Sequence, residues 1–149
     1  MDRSLRALED ALLSGTLWNY TADNTNEHGD QWNGEDLSIF SRDQQTDPQD
    51  IHSGGRALQA VVRPYARAVA GELLRMAFDI KRKVFEFEFR HDSTVTAPTE
   101  LFVPNYQYPR GYSVKVSDGS VEIDREHQAL RYHHTTTCDI HTIRLTGER

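Results

Sequence analysis

The sequence has few of the features that mark secreted, membrane-spanning or nucleic-acid-binding proteins. Among its 149 residues Cys138 is the only cysteine, so no disulfide can form within the chain and a reducing compartment is expected. No apolar run approaches the roughly 18–20 residues of a membrane span, and residues 1–15 lack the apolar stretch of a secretory signal. A net charge of −6 argues against the basic face of a nucleic-acid-binding protein. We therefore expect a cytoplasmic protein with no nucleic-acid partner.

The negative charge is concentrated in the first third of the chain. Up to Ser53 there are 11 acidic and 3 basic residues, against 12 and 14 from Gly54 onward. Leucines at helical spacing predict a helix over residues 2–14 that Gly15 ends, and β-forming residues predict a strand over residues 16–20. A second helix is predicted over residues 54–62. A single strand between two helices needs parallel neighbours, so this part is typical of the last unit of a repeating α/β sheet or barrel.

The second part of the chain has the pattern of an all-β domain. Phe85, Phe87 and Phe89 alternate with glutamates, which predicts a strand with one buried and one solvated face. Asp118-Gly119 has the composition of a hairpin turn. Short strand-like runs at regular spacing predict an antiparallel sandwich. The seven predicted strands cover residues 73–78, 84–89, 100–103, 112–116, 120–123, 129–132 and 141–145.

The long polar segment between the two predicted helices contains both tryptophans of the protein. Residues 16–40 read TLWNYTADNTNEHGDQWNGEDLSIF, with Trp18 and Trp32 among Asp, Asn, Glu and Gly. Indole rings pack on the C–H faces of sugars, and the polar side chains can bind ring hydroxyls, so the segment suits a carbohydrate ligand. The alternative is that both tryptophans fold back beneath the segment as a local core. Trp18 is the stronger candidate, because active sites of α/β barrels lie at the C-terminal ends of the strands.

Other constellations in the same segment have weaker support. Glu27 and Glu35 could form the carboxylate pair of a glycosidase, but nothing in the surrounding sequence would desolvate either one. Asn24, Asn26 and Glu35 have the spacing of a calcium-binding loop, yet the first aspartate and the flanking helix pair are missing. We interpret these side chains as solvated loop residues and predict no metal there.

A group of histidines near the C-terminus raises a zinc hypothesis. His133, His134, Cys138 and His141 are close in sequence and are all common zinc ligands. On a strand, however, His133 and His134 point to opposite faces, so both cannot ligate one ion without a bulge. We therefore predict no metal and no cofactor for the chain.

Three segments resemble a known family. TLWNYTADNTN at residues 16–26, followed by GDQWNGED at residues 29–36, resembles the eighth barrel strand and the following loop of glycoside hydrolase family 5. The similar branch is the endoglycoceramidase-related one, with the fungal glucosylceramidases and steryl β-glucosidases. SGGRAL and VRPYARAVAG, from residue 53 to residue 71, resemble its junction between barrel and C-terminal sandwich. PTELFVP at residues 98–104 resembles part of that sandwich.

The resemblance implies the fold and the domain division. Residues 1–63 would be the C-terminal remnant of a (β/α)8 barrel, containing its last strand and flanking helices. Residues 64–149 would be the family's all-β antiparallel sandwich domain.

The resemblance also implies a function. The family's retaining β-glucosidases hydrolyse glycolipids such as glucosylceramide or steryl glucosides, which would bring the protein into peripheral contact with a membrane. The family's two catalytic glutamates lie upstream of the matching segments, so the chain is expected to be an inactive C-terminal portion with no catalytic residue. Trp18 matches the tryptophan beneath the sugar at the cleavage point. The implied substrate-binding residues are Trp18, Tyr20, Asp23, Asn24, Asn26 and Trp32. The alternative is a non-catalytic β-sandwich module for carbohydrate binding or interaction.

Overall fold

Most of the chain forms two antiparallel β-sheets, with two short helices before them. The structure is a computed structural model that describes residues 1–15, 38–41 and 44–148. The helices are α1 (Asp2–Asp10) and α2 (Leu58–Val61). The strands are β1 (Tyr65–Ala68), β2 (Gly71–Asp79), β3 (Val84–His91), β4 (Thr99–Phe102), β5 (Tyr112–Val116), β6 (Ser120–Asp124), β7 (Ala129–His133) and β8 (Ile140–Gly147). In the described part of the chain no helix is long and apolar enough to cross a membrane.

The two sheets pack face to face as a sandwich. One sheet has the strand order β1-β4-β7-β6 and the other has the order β2-β3-β8-β5, with every neighbouring pair antiparallel. Phe85, Phe87 and Phe89 of β3 are fully buried, whereas the glutamates between them are only half-buried. Across the sandwich, Tyr132 of β7 lies edge-on to Phe89, with 6.1 Å between the ring centroids. The predicted antiparallel sandwich is confirmed.

One strand is missing from the sequence-based prediction. β1 has the sequence YARA, in which Ala66 packs against the core while the other three residues are exposed. The segment is extended because its backbone pairs with β4, where Tyr65 lies opposite Phe102. Strand formation here depends on the edge that β4 provides and not on local composition.

The two predicted helices are shorter than expected. α1 ends at Asp10 because Leu12 adopts a left-handed conformation with φ 51°, and the amides of Leu12 and Leu13 close the last turn on Glu9 and Leu8. Gly15 is therefore not the helix stop. The predicted helix over residues 54–62 is wrong before Leu58, because Gly54 and Ala57 both have positive φ.

The predicted hairpin at Asp118-Gly119 is wrong. β5 pairs with β8 and β6 pairs with β7, so the turn carries the chain from one sheet to the other. Gly119 has φ +68°, and a Cβ there would lie 2.1 Å from the carbonyl oxygen of His133. The turn needs glycine for that close approach. Such a glycine turn is equally compatible with a hairpin and with a connection between two sheets. Local composition therefore identified the turn but not its partners.

Candidate functional site

The predicted substrate-binding residues lie outside the described part of the chain. This holds for Trp18, Tyr20, Asp23, Asn24, Asn26 and Trp32, and for Glu27 and Glu35 as well. Their assignment stays a prediction. The structure does describe the residues on both sides of this segment, and these show how its two ends are attached to the sandwich.

The C-terminal end of the segment is held by a backbone-paired turn. Phe40 forms an isolated antiparallel bridge with Gly55. Ser41 donates its N–H to the Gly54 carbonyl at 2.9 Å, and Arg56 donates to the Ile39 carbonyl at 2.7 Å. A Cβ on Gly54 would lie 2.4 Å from the Ser41 carbonyl oxygen, so glycine is required for this approach. The chain that leaves the polar segment is thus fixed to the residues that lead into α2.

A buried serine fixes the backbone of the residues that lie between Ser41 and Gly54. Ser53 is only 9% exposed, and its hydroxyl oxygen accepts hydrogen bonds from the N–H groups of Thr46 and Asp47 at 2.8 and 3.0 Å. Asp47 and Asp50 each accept a hydrogen bond from the N–H two residues further on. These local hydrogen bonds give a polar stretch without helix or strand a defined path.

Gln107 connects this region to the sandwich. Its side chain is 1% exposed, and its amide nitrogen donates to the carbonyl oxygens of Gln59 and Val62 at 3.0 and 2.6 Å. Its amide oxygen accepts from the Lys83 ammonium group. Burial lowers the pKa of Lys83. Gln107 thereby satisfies carbonyl groups at the C-terminal end of α2, which would otherwise lack partners in the helix.

The N-terminal end of the segment follows α1, which an arginine ties to the sandwich. Arg63 is 7% exposed and forms a two-pronged ion pair with Glu9, with N–O distances of 2.6 and 2.8 Å. It also donates to Asp2 at 2.9 Å and to the Phe78 carbonyl at 3.1 Å. Its guanidinium lies 5.2 Å from the Phe78 ring centroid. Burial alone would lower the pKa of Arg63, but the carboxylates of Glu9 and Asp2 outweigh it and raise the pKa.

These contacts anchor both ends of the polar segment on one end of the sandwich. Arg63 and Gln107 were not identified from the sequence, because a buried arginine or glutamine has no local signature. A structural role for Arg63 follows from its partners, which come from α1 and β2.

The histidines considered for zinc separate as predicted. His133 lies on β7 with its Nε2 atom 3.6 Å from the Glu122 carboxylate on the solvent side. His134 turns the other way, and its ring centroid lies 4.8 Å from that of His141. Burial, with the neighbouring His141 and His91, lowers the pKa of His134. His91, which lies on β3 far from these histidines in sequence, faces both of their rings.

A carboxylate completes this cluster at its buried side. Asp118 accepts hydrogen bonds from the Tyr132 hydroxyl at 2.6 Å and from His141 Nδ1 at 2.7 Å. It also accepts from the N–H and the hydroxyl of Thr135. Burial by itself would raise the pKa of Asp118, but hydrogen bonds from Thr135, Tyr132 and His141 hold the pKa well below its usual range. Asp118 is therefore ionised, and both of its carboxylate oxygens accept hydrogen bonds.

The chain is similar in sequence to one protein family and to several named relatives. The model of the glycoside hydrolase family 5 C-terminal domain matches residues 63–145. The glucosylceramidase of Rhizopus delemar is 37% identical over 147 residues, which cover 89% of this chain and 21% of that protein. The ergosteryl-beta-glucosidase of Saccharomyces cerevisiae is 26% identical, covering 86% of this chain and 24% of that protein.

A solved structure gives a match over nearly the full chain. Sterylglucosidase 1 of Cryptococcus neoformans superimposes with a TM-score of 0.83 at 31% identity, covering 99% of this chain and 24% of that protein. The chain thus spans about a fifth to a quarter of the length of the relatives it matches. The likeness extends beyond the sandwich to the residues before it.

Proposed function

Because the chain belongs to glycoside hydrolase family 5 through its C-terminal domain, we propose that it forms the C-terminal part of a retaining β-glucosidase acting on glycolipids. Relatives of the chain are glucosylceramidases and steryl glucosidases. The proposed substrate is accordingly glucosylceramide or a steryl glucoside, reached by peripheral contact with a membrane. The single cysteine suits a reducing compartment, and we place the protein in the cytoplasm within this proposal.

One observation carries the proposal. The similarity to sterylglucosidase 1 covers 99% of the chain, whereas the family model begins at residue 63. The glucosylceramidase of Rhizopus delemar aligns in sequence with 89% of the chain, so residues before the sandwich contribute to the likeness as well. An independent interaction module would need only the sandwich. The anchoring of α1 by Arg63 and of the C-terminal end of α2 by Gln107 supports the same reading.

In the proposed enzyme this chain binds and orients the sugar and does not perform the chemistry. A retaining glycosidase uses two carboxylates about 5–5.5 Å apart, one as nucleophile and one as acid/base. Both would come from the catalytic barrel outside the matched segments. Trp18 would pack beneath the reacting glucose, with Tyr20, Asp23, Asn24 and Asn26 beside it. Trp32 would contact the lipid end of the substrate.

The chain by itself is expected to hydrolyse no aryl β-glucoside. The two-carboxylate mechanism needs a pair held at defined separation, and nothing in the sequence around Glu27 or Glu35 would desolvate either carboxylate. The measurement is release of the chromophore by the purified chain over hours. Turnover that disappears in Glu27→Gln or Glu35→Gln would contradict this expectation and would place the catalytic pair inside the chain.

A chimera tests the proposed role directly. The matching C-terminal segment of sterylglucosidase 1 would be replaced by this chain, and hydrolysis of a steryl glucoside would be measured. A second chimera would receive only residues 16–37, so that a packing mismatch in the sandwich cannot hide the result. We expect both chimeras to be active and both to lose activity on Trp18→Ala. Folded but inactive chimeras would overturn the proposal and favour the non-catalytic binding module.

A further inference from the structure

Three histidine rings meet at the end of the sandwich opposite to α1. The ring centroids of His91, His134 and His141 lie 4.8–5.2 Å from one another. Each ring offers one nitrogen, and the three nitrogens lie within 4.8 Å of one another. His141 is fully buried, and His91 and His134 are half-buried, so the group lies just beneath the surface. Three imidazoles that converge in this way form a donor set for a transition metal.

The topology of the sandwich brings the three rings together from both sheets. β3 and β8 are antiparallel neighbours with Phe89 opposite His141, so His91, two residues further along β3, lies diagonally across on the same face. His134 comes from the facing sheet, immediately after β7. The group therefore lies between the two sheets and does not belong to one strand or one loop.

Asp118 presets His141 as a metal ligand. A carboxylate only accepts hydrogen bonds, so the hydrogen between Asp118 and His141 Nδ1, at 2.7 Å, resides on the nitrogen. In the neutral ring this leaves a lone pair on Nε2, the atom that faces His91 Nδ1 at 3.0 Å. A carboxylate that fixes the orientation and tautomer of a histidine is the usual support of a histidine ligand.

We propose that His91, His134 and His141 bind one Zn²⁺ ion, with His141 contributing Nε2 and His91 contributing Nδ1. Zinc–nitrogen distances are about 2.0–2.1 Å, so two nitrogens in a tetrahedral site lie about 3.3–3.4 Å apart. The two facing nitrogens at 3.0 Å are already near that separation, and zinc would take the place of the hydrogen bond between them. Because His141 Nε2 is the acceptor of that bond, His91 Nδ1 carries its proton, and on zinc binding this proton is released to water while the neutral His91 ring takes one up on Nε2. His134 completes the set after its ring nitrogen, within 4.8 Å of the other two, moves towards the ion, and water occupies the fourth position.

The other side of His141 is the weaker alternative. Cys138 and Asp118 also lie close to His141, with Cys138 Sγ 3.6 Å from Nδ1. That nitrogen already holds the hydrogen donated to Asp118, and Asp118 also accepts from Tyr132 and Thr135. An ion there would have to break this set of buried hydrogen bonds. The Nε2 side requires the loss of one hydrogen bond between two histidines.

The consequence of zinc binding would be a connection between the two sheets. His91 and His141 belong to one sheet and His134 follows a strand of the other, so the ion would stabilise the folded state selectively. The site is also remote from the contacts that hold α1. His91 pairs with Gly71 at one end of β2, whereas Arg63 and Glu9 contact Phe78 near the other end. Gly71 and Phe78 are seven positions apart along β2, which corresponds to about 23 Å.

The test uses the untagged full-length chain after treatment with a chelator. Zinc binding would be measured by calorimetric titration, and the melting temperature would be recorded with and without zinc. We expect one zinc per chain and a rise in the melting temperature of about 5–10 °C at a free zinc concentration 100 times Kd. His91→Ala and His134→Ala should each weaken binding by more than about 100-fold, more than the loss of an outer-shell partner costs.

His133→Ala is the matched control, because His133 is adjacent to His134 but faces Glu122 and solvent. It should leave the zinc affinity unchanged, and titrations below the melting temperature of each variant keep a loss of stability separate from a loss of binding. Cobalt(II) should give the visible absorption of a tetrahedral nitrogen site without a thiolate charge-transfer band. Absence of binding, equal weakening by His133→Ala, or a thiolate band from Cys138 would each overturn the proposed site.

Discussion

Replacement of Arg63 by alanine is expected to detach α1 from the sandwich. Arg63 bonds to Asp2 and Glu9 of α1 and also to the Phe78 carbonyl of β2. Among the hydrogen bonds described for this region, it is the one side chain that makes all three contacts. α1 has no fully buried residue of its own, so its apolar contacts alone hold it weakly. A helix of nine residues is also too short to be stable in water without tertiary contacts.

The magnitude follows from the burial of the two charges. The Arg63 and Glu9 side chains are 7% and 11% exposed, so alanine at position 63 leaves a nearly buried carboxylate without a cation. Removal of one partner of a buried ion pair costs about 3–5 kcal/mol. The Arg75–Glu86 pair provides the control within the same protein, since its side chains are 60% and 38% exposed. An exposed pair of this kind contributes about 0–1 kcal/mol.

Two measurements separate local detachment from general destabilisation. Urea denaturation gives the free energy of unfolding, which should fall by about 3–5 kcal/mol in Arg63→Ala and by no more than about 1 kcal/mol in Arg75→Ala. Hydrogen exchange should show loss of protection for the Leu5 and Ala11 amides of α1, whose partners are Met1 and Ala7. The amides of the central strands β3 and β8 should keep their relative protection.

A double variant tests the cause. Arg63→Met combined with Glu9→Met removes both buried charges, so most of the lost stability should return, because two well-packed apolar side chains can replace a buried ion pair. Asp2 is 33% exposed and stays hydrated without its partner. Equal costs for Arg63→Ala and Arg75→Ala, or no recovery in the double variant, would refute the reasoning that a buried ion pair holds α1.

The remaining predictions concern the inter-sheet turn and the polar segment. Gly119→Ala should lower the free energy of unfolding by at least about 2 kcal/mol, since φ is +68° and the added Cβ would lie 2.1 Å from the His133 carbonyl oxygen. Ser120→Ala, at the exposed neighbouring residue, should change the free energy of unfolding little; thermal denaturation of both variants is the measurement. Trp18→Ala in the complete glycosidase or in the chimera should lower kcat/KM by an amount corresponding to about 2–4 kcal/mol, with a nearly unchanged melting temperature. Trp32→Ala should raise KM more than it lowers kcat. If Trp18→Ala unfolds the protein and its refolded fraction has normal turnover, Trp18 is a core residue and not a substrate-binding one.

The alternation of residue types was sufficient to locate most of the sandwich. β3 and β8 have a strict period of two, and the residues that this period assigns to the core are the buried ones. β5 begins and ends where the pattern predicted, at Tyr112 and Val116. β1 was missed because it places no large apolar side chain in the core, and the strand forms through pairing with β4.

The helical predictions were less accurate where a tertiary contact competes with local preference. Residues 54–62 have helical composition throughout, but Gly54 and Gly55 pair with Ser41 and Phe40 instead. These backbone hydrogen bonds require positive φ at Gly54, which ends any helix there. The substrate-binding residues and the domain division stay predictions that rest on the resemblance to the family.

The sequence by itself determined which side chains face the core, because the pleat of a strand sends alternate residues to opposite faces whatever the strand pairs with. It also determined the family, through segments specific enough to match over most of the chain. Only the tertiary structure decided which strands are neighbours, that Asp118-Gly119 links two sheets, that Arg63 is buried against α1, and that His91 joins His134 and His141. The physical reason is the same in each case: these contacts join residues far apart in the chain, and a local pattern of residue types contains no information about partners at that distance.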